Sequence, residues 1–194
     1  ASYVNLSFDN TEAGMTNVPH EFGHSVRCIQ DDALEMTQIA GDTSKTWKLI
    51  RDVSTGRYPL EVGPYDHSTI WWAVGLYNDE LAVRSCMLND EWTFGRDGTM
   101  TLATQSDFWA ESGIFDPGYQ CQSTDNMINI NGEDCSDWGD GVHQFDLVSG
   151  TFPRLRALGH GAFVGFYKTA TEYEVTQLDP MVQDSVRYNL VKLS

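Results

Sequence analysis

The chain has 194 residues, 41% of them hydrophobic and 12% aromatic, with six Trp and eight Tyr. That suffices for one domain with a real core, or for one domain plus a fragment of another. Twelve Lys and Arg stand against 28 Asp and Glu, a net charge of −16; such a surface repels phosphate backbones and anionic bilayers, which argues against nucleic acid as a partner and leaves neutral glycans and cations.

Helical periodicity is weak, and short β-rich runs between turn residues dominate. "SYVNLSF" (2–8) and "HSVRCI" (24–29) read as strands. The chain opens on strand-like alternation with no signal peptide, and reads as a mature or excised piece. "DDALEMTQIAGDTS" (31–44) reads as a polar connector ending in a Gly-Asp turn, and "KTWKLIRDV" (45–53) as the next strand. "EWTFGRDGTMTLAT" (91–104) is the clearest hairpin, two alternating strands around Arg96, Asp97 and Gly98. A long polar loop over 121–144 follows, then strand patterns in "HQFDLV", "TFPRLRAL", "GAFVGFYK", "YEVTQL" and "SVRYNLVKL". Turn signals about every ten residues predict an all-β fold: an antiparallel β-sandwich of jelly-roll type, with a lipocalin-like barrel as the alternative. No run approaches the roughly 20 apolar residues of a membrane helix, so direct membrane insertion is not expected.

Residues 20–24, "HEFGH", match the H-E-x-x-H pattern of zinc peptidases. The chemistry needs both His on one helical turn, the Glu beside the metal-bound water, and a third ligand. Arg27 and Gln30 occupy the positions where the extended motif has Gly and His, and Glu35 would lie roughly 16 Å along a continuous helix from His24. Gly23 and the strand-forming residues after it disfavour the helix. The expected structure is a turn entering an edge strand. A zinc metallopeptidase using His20, Glu21 and His24 is the competing reading. The four cysteines, Cys28, Cys86, Cys121 and Cys135, show no C-x-x-C spacing; their even count and wide separation suit one or two disulfides and an exported protein.

Sugar rings stack their C–H faces on Trp and Tyr, while their hydroxyls bond short polar side chains. Trp71, Trp72, Tyr77, Trp109, Tyr119 and Trp138 are the candidate stacking residues. Adjacent Trp71 and Trp72 point to opposite sides of a strand, so one enters the core and one reaches a surface. Trp47, Trp92 and Phe94 lie in regular strands and are expected in the core. Glu133, Asp134, Asp137 and Asp140 could bind calcium with backbone carbonyls, against the simpler reading of a solvated acidic loop. Asp90 and Glu91 are adjacent and face apart, which gives little support to a glycoside hydrolase.

"FGHSVRCIQD" (22–31), with "YVNLSFDN" upstream, resembles the closing segment of the FISUMP domain, a major paralogous domain of bacterial surface proteins; Gly23, Ser25, Val26, Arg27, Cys28, Ile29 and Asp31 carry the likeness. The resemblance implies that residues 1–31 are the terminal strands of such a domain, that 32–43 are a linker, and that 44–194 are a second module truncated at its C-terminus. In that module "SKTWKL", "VGP", "WW", "RSCMLNDEWTFGRDGTM", "FW" and "GHGAFVGFYK" follow in order the pattern of accessory domains of glycan-degrading bacteria. This resemblance implies a non-catalytic, carbohydrate-binding module of a secreted or cell-surface multidomain protein, with a polysaccharide or oligosaccharide as partner and no required cofactor. It also implies that Cys86 pairs with Cys121, with Cys135 as a rival. A structural or interaction module of a surface assembly is the third reading.

Overall fold

The computed structural model describes residues 2–6, 13–17, 34–54, 56–64, 68–77, 80–150, 153–166, 171–183 and 186–193. The His20–His24 pattern, Cys28 and the strand expected over 24–29 lie outside them. Two compact units are present, residues 1–32 and 33–194. In the first, β1 (Ser2–Leu6) pairs antiparallel with β2 (Ala13–Asn17), from Ser2↔Asn17 to Leu6↔Ala13.

The second unit begins with a correction to the linker. Residues 36–40 form a short helix, α1 (Met36–Ala40). Its N-terminus is closed by Gln38, whose side-chain oxygen accepts the Glu35 N–H at 2.8 Å. Its C-terminus is closed by Gly41 at φ 63°, whose N–H reaches the Thr37 carbonyl at 2.9 Å. Ile39 and Ala40 are buried, so this stretch belongs to the core.

The all-β, antiparallel expectation holds. Strands β3 (Ser44–Lys48), β6 (Glu91–Gly95), β7 (Thr99–Ala103), β10 (Gly141–Val148), β11 (Arg154–Leu158), β12 (Glu172–Gln183) and β13 (Val186–Leu193) form one seven-stranded sheet in that spatial order. The sheet curls as a half-barrel, which places it nearer the barrel alternative than two equal stacked sheets. Its path is a meander with two excursions. Between β3 and β6 come the ribbon β4 (Glu61–Val62) and β5 (Trp72–Ala73), then α2 (Glu80–Val83) and α3 (Ser85–Leu88). Between β7 and β10 come the ribbon β8 (Asp107–Ala110) and β9 (Gln120–Ser123) and two short 3₁₀ turns, 124–126 and 136–138.

Period-two alternation sorts the sheet into two faces. Trp92, Phe94, Met100, Leu102, Phe145, Leu155 and Ala157 are buried on one. The register stacks them: Trp92 opposes Leu102, Phe94 opposes Met100, and Phe145 opposes Ala157. Phe94 and Phe145 meet edge to face at 4.8 Å. Trp92 is core, as expected, and its indole N–H bonds the Phe163 carbonyl at 3.1 Å. Trp47 is only part-buried at the sheet edge, its indole bonded to the Ile39 carbonyl at 2.7 Å. The other face is polar: the Thr46 and Thr93 hydroxyls are 2.8 Å apart, Lys48 pairs with Glu91, and Arg156 pairs with Asp146.

The first excursion and the segment 159–166 explain two departures from the predicted strands. The strand expected over 45–53 stops at Lys48, because Leu49 turns into a second apolar cluster and Arg51 Nε donates to the Leu88 carbonyl at 3.1 Å. "GAFVGFYK" forms no strand over its described residues 161–166. Its backbone groups are taken by side chains instead: Trp92 holds the Phe163 carbonyl, and the Val164 N–H donates to the Tyr173 hydroxyl at 2.9 Å.

A disulfide joins Cys86 to Cys121, with Cα atoms 5.8 Å apart and a sequence separation of 35, and Cys135 is a buried free thiol. The bridge connects the two excursions. Paired Cys86→Ala and Cys121→Ala substitutions should lower unfolding free energy by about 3–4 kcal/mol through the freed loop entropy. Denaturant melts of the variant and the parent chain check this.

Candidate functional site

Arg84, between α2 and α3, is buried, and a buried guanidinium is tolerated only when its charge and its donors are met. Both conditions are satisfied here. Its Nε lies 3.3 Å from Glu80 Oε2, at the i,i+4 spacing of a helical ion pair, and its Nη1 lies 3.5 Å from Glu111 Oε2. Three aromatic rings surround the guanidinium carbon: Trp109 at 4.2 Å, Trp72 at 5.4 Å and Tyr119 at 5.6 Å. These are cation–π distances. The carboxylates are held in turn, Glu111 by the Trp109 indole N–H at 2.9 Å and Glu80 by the Tyr119 hydroxyl at 3.3 Å.

Three of the six expected stacking residues therefore converge on one internal cation, and they differ in what they offer a ligand. Trp109 is 1% exposed and is corrected to a core residue. Strand β8 is buried on both faces: Phe108 packs into the main cluster under the sheet, and Trp109 into the second cluster with Val74, Cys86 and Met87. Trp72 is half-buried against Arg84. Tyr119 is 53% exposed yet firmly held. Its backbone sits at φ 61°, a conformation that L residues rarely adopt, and its N–H bonds the Ala110 carbonyl at 2.6 Å. Its ring meets Trp109 edge to face at 5.3 Å.

Alternation separates the Trp pair as expected. Trp71 is 63% exposed, while its neighbour Trp72 turns to Arg84. Tyr77, at the end of the same turn, is 74% exposed. Trp138 lies elsewhere: half-buried, it packs edge to face on Phe115 at 6.3 Å, against the main core. Its packing role is the one these contacts describe.

The acidic loop is dispersed. Asp134 Oδ1 accepts the Ser136 N–H at 2.8 Å, Glu133 Oε2 accepts from Asn129 Nδ2 at 2.6 Å, and Asp137 Oδ2 lies 2.7 Å from His160 Nδ1. Asp140 Oδ1 accepts both the backbone N–H and the hydroxyl of Thr104. Each carboxylate serves its own partner, so the four do not converge as calcium ligands, and no cluster of metal-binding side chains occurs among the described residues. His160 is held by a close approach: a Cβ on Gly161, at φ 75°, would overlap the Asp137 carbonyl.

Asp90 is the other unusual group. It is 6% exposed at the entry to β6, and its Oδ1 has no hydrogen-bond partner. Burial, with the nearby carboxylates of Asp107 and Asp140, pushes its pKa up to about 8. In the sequence Asp90 shows only as a neighbour of Glu91, and Arg84, Glu80 and Glu111 do not stand out. The Glu80–Arg84 spacing was the available signal for the ion pair; nothing local marks Asp90 as buried.

No family model, characterised protein or solved structure matches the chain.

Two predictions follow from these charges. Arg84→Met should cost about 3–5 kcal/mol, because Glu80 is left buried without its counter-ion, and adding Glu80→Gln should recover part of that loss. Chemical denaturation of the single and double variants measures both. For Asp90 the folded state holds a proton that the unfolded chain releases near the ordinary 3.8. The native state thus binds more protons between about pH 4 and pH 8, and stability falls as pH rises through that window. Asp90→Asn should flatten this slope and raise stability at pH about 8, as read by denaturant melts across the range.

Proposed function

We propose that the 33–194 unit is a non-catalytic module that binds a neutral polysaccharide through exposed aromatic side chains: Tyr119, which shares Arg84 with Trp72, and Trp71 and Tyr77 on the turn that carries Trp72. The observation that carries this reading is Tyr119: a largely exposed ring fixed by a left-handed backbone, a hydroxyl bond to Glu80 and an edge contact with Trp109. A solvent-facing aromatic held this rigidly loses little freedom when a sugar stacks on it. Trp71 and Tyr77 supply further ring surface, and the net charge of −16 suits an uncharged ligand.

The Cys86–Cys121 disulfide supports an oxidising location, outside the cell or at its surface. No helix among the described residues is long and apolar enough to cross a membrane. Placement within a larger surface protein belongs to the same proposal.

Affinity electrophoresis against a panel of neutral plant and algal polysaccharides tests the reading. Trp71→Ala and Tyr119→Ala should each weaken retention by about 1–3 kcal/mol, or roughly 5- to 150-fold in Kd. Trp71→Ala should leave the melting temperature within about 2 °C, because little buried area is lost. Retention of every polysaccharide unchanged in both variants would remove these aromatic side chains as the binding surface and favour a spacer role.

A further inference from the structure

A ring on which a sugar stacks is only half of a glycan site, because the hydroxyls at the rim of the sugar need polar partners. Two carboxylates stand near Tyr119. Glu80 is buried, whereas the Glu111 side chain is 29% exposed. Three contacts place Glu111 beside the Tyr119 ring. Its Oε2 lies 3.5 Å from Arg84 Nη1, and the carbon of that guanidinium lies 5.6 Å from the Tyr119 ring. The same Oε2 accepts the Trp109 indole N–H at 2.9 Å, and the Trp109 and Tyr119 ring centres are 5.3 Å apart. The Tyr119 N–H bonds the carbonyl of Ala110, the residue before Glu111, at 2.6 Å. With Glu80 and Glu111 both facing one guanidinium, the cluster is left with an excess of negative charge.

We propose that Glu111 is the specificity-determining residue of the Tyr119 site: it accepts hydroxyl protons of the stacked sugar, and so selects glycans with free hydroxyls over O-alkylated and acidic ones. The inference rests on the glycan-binding reading of Tyr119 and names the polar group that completes it. An ionised carboxylate is an acceptor only, with about four lone-pair sites, so one already held by Trp109 and Arg84 can still take a hydroxyl. Hydroxyl-to-carboxylate bonds are roughly twice as strong as neutral pairs. A sugar with capped hydroxyls would cover the carboxylate and give it no donor in place of water. An acidic sugar would bring a further negative charge to a cluster that already has an excess. The grip of Trp109 and Arg84 also sets the carboxylate in place before the ligand arrives, which lowers the entropy lost on binding.

The test takes the neutral polysaccharide that the parent chain retains most strongly in affinity electrophoresis and offers it in three soluble forms: unmodified, partly O-methylated, and oxidised at its primary alcohols to carboxylates. The parent chain should bind the unmodified form roughly 5- to 50-fold more tightly than either of the others. Glu111→Gln keeps the side-chain length and an oxygen for the Trp109 indole but removes the charge. It should shrink both preferences to within about 3-fold, chiefly by weakening retention of the unmodified form. Tyr119→Ala should weaken all three forms by a similar factor and leave the preferences in place. A purely structural role for Glu111 would lower retention of every form equally, so the ratio between forms is the deciding readout. A parent chain that retains the three forms alike overturns the proposal without any variant, as does a Glu111→Gln chain that keeps the parent's preferences; either result leaves the aromatic reading standing. Retention of no polysaccharide by the parent chain overturns both.

Discussion

The organisation of the 33–194 unit depends on one buried charge. The sheet is a simple meander of seven strands, but the two excursions that interrupt it are long and rich in irregular structure, and their shared apolar cluster draws on both. Arg84 joins them. It draws Glu80 and Trp72 from the first excursion, and Trp109, Glu111 and Tyr119 from the second, around a single guanidinium. The disulfide runs parallel to that contact, since Cys86 follows Arg84 by two residues and Cys121 follows Tyr119 by two. A planar cation suits this place better than an apolar side chain would. It can be faced by rings and gripped at its rim by carboxylates simultaneously, which fixes the angle between segments as well as their separation. The exposed aromatic ring of Tyr119 inherits its rigidity from this arrangement.

How much of this was legible follows from what each residue depends on. The β6–β7 hairpin could be read directly, because its signals are local. Gly98 at φ 85° donates to the Gly95 carbonyl at 3.0 Å, and Asp97 accepts the Thr99 N–H at 3.0 Å, all within the stretch that carries the alternation. The separation of Trp71 from Trp72 was equally local. The status of Trp109 was not, because β8 looks like a strand with one wet face and becomes dry on both sides only when the two excursions close over it. The segment 161–166 failed for a related reason: its apolar run suits a strand, but the tertiary partners Trp92 and Tyr173 claim the backbone groups a ladder would use. Helix α1 was hidden because five residues give too short a window for a 3.6-residue period to show.

The distribution of acid groups also separates two kinds of carboxylate that composition merges. Asp97, Asp134 and Asp146 serve as local acceptors, and hydrogen bonds hold the pKa values of these three below the ordinary carboxylate range. Asp90 goes the other way, because burial strips it of water, Asp107 and Asp140 add negative charge nearby, and its Oδ1 has no hydrogen-bond partner. A net charge counted from sequence therefore overstates the charge of the folded interior at neutral pH.

The edge of the large sheet has a consequence for crowding. β3 ends the sheet among the described residues, and a strand edge left open is a template for a neighbouring chain. Two of the twelve basic residues of this acidic protein, Lys45 and Lys48, lie in those five residues, on opposite faces. Lys45 folds back over Trp47 at 4.2 Å, while Lys48 extends from the solvated face to Glu91. A second copy laid parallel and in register would bring like charges together above and below the seam. Copies arrayed side by side at high local density would thus meet a charge penalty against that one way of joining their β3 edges.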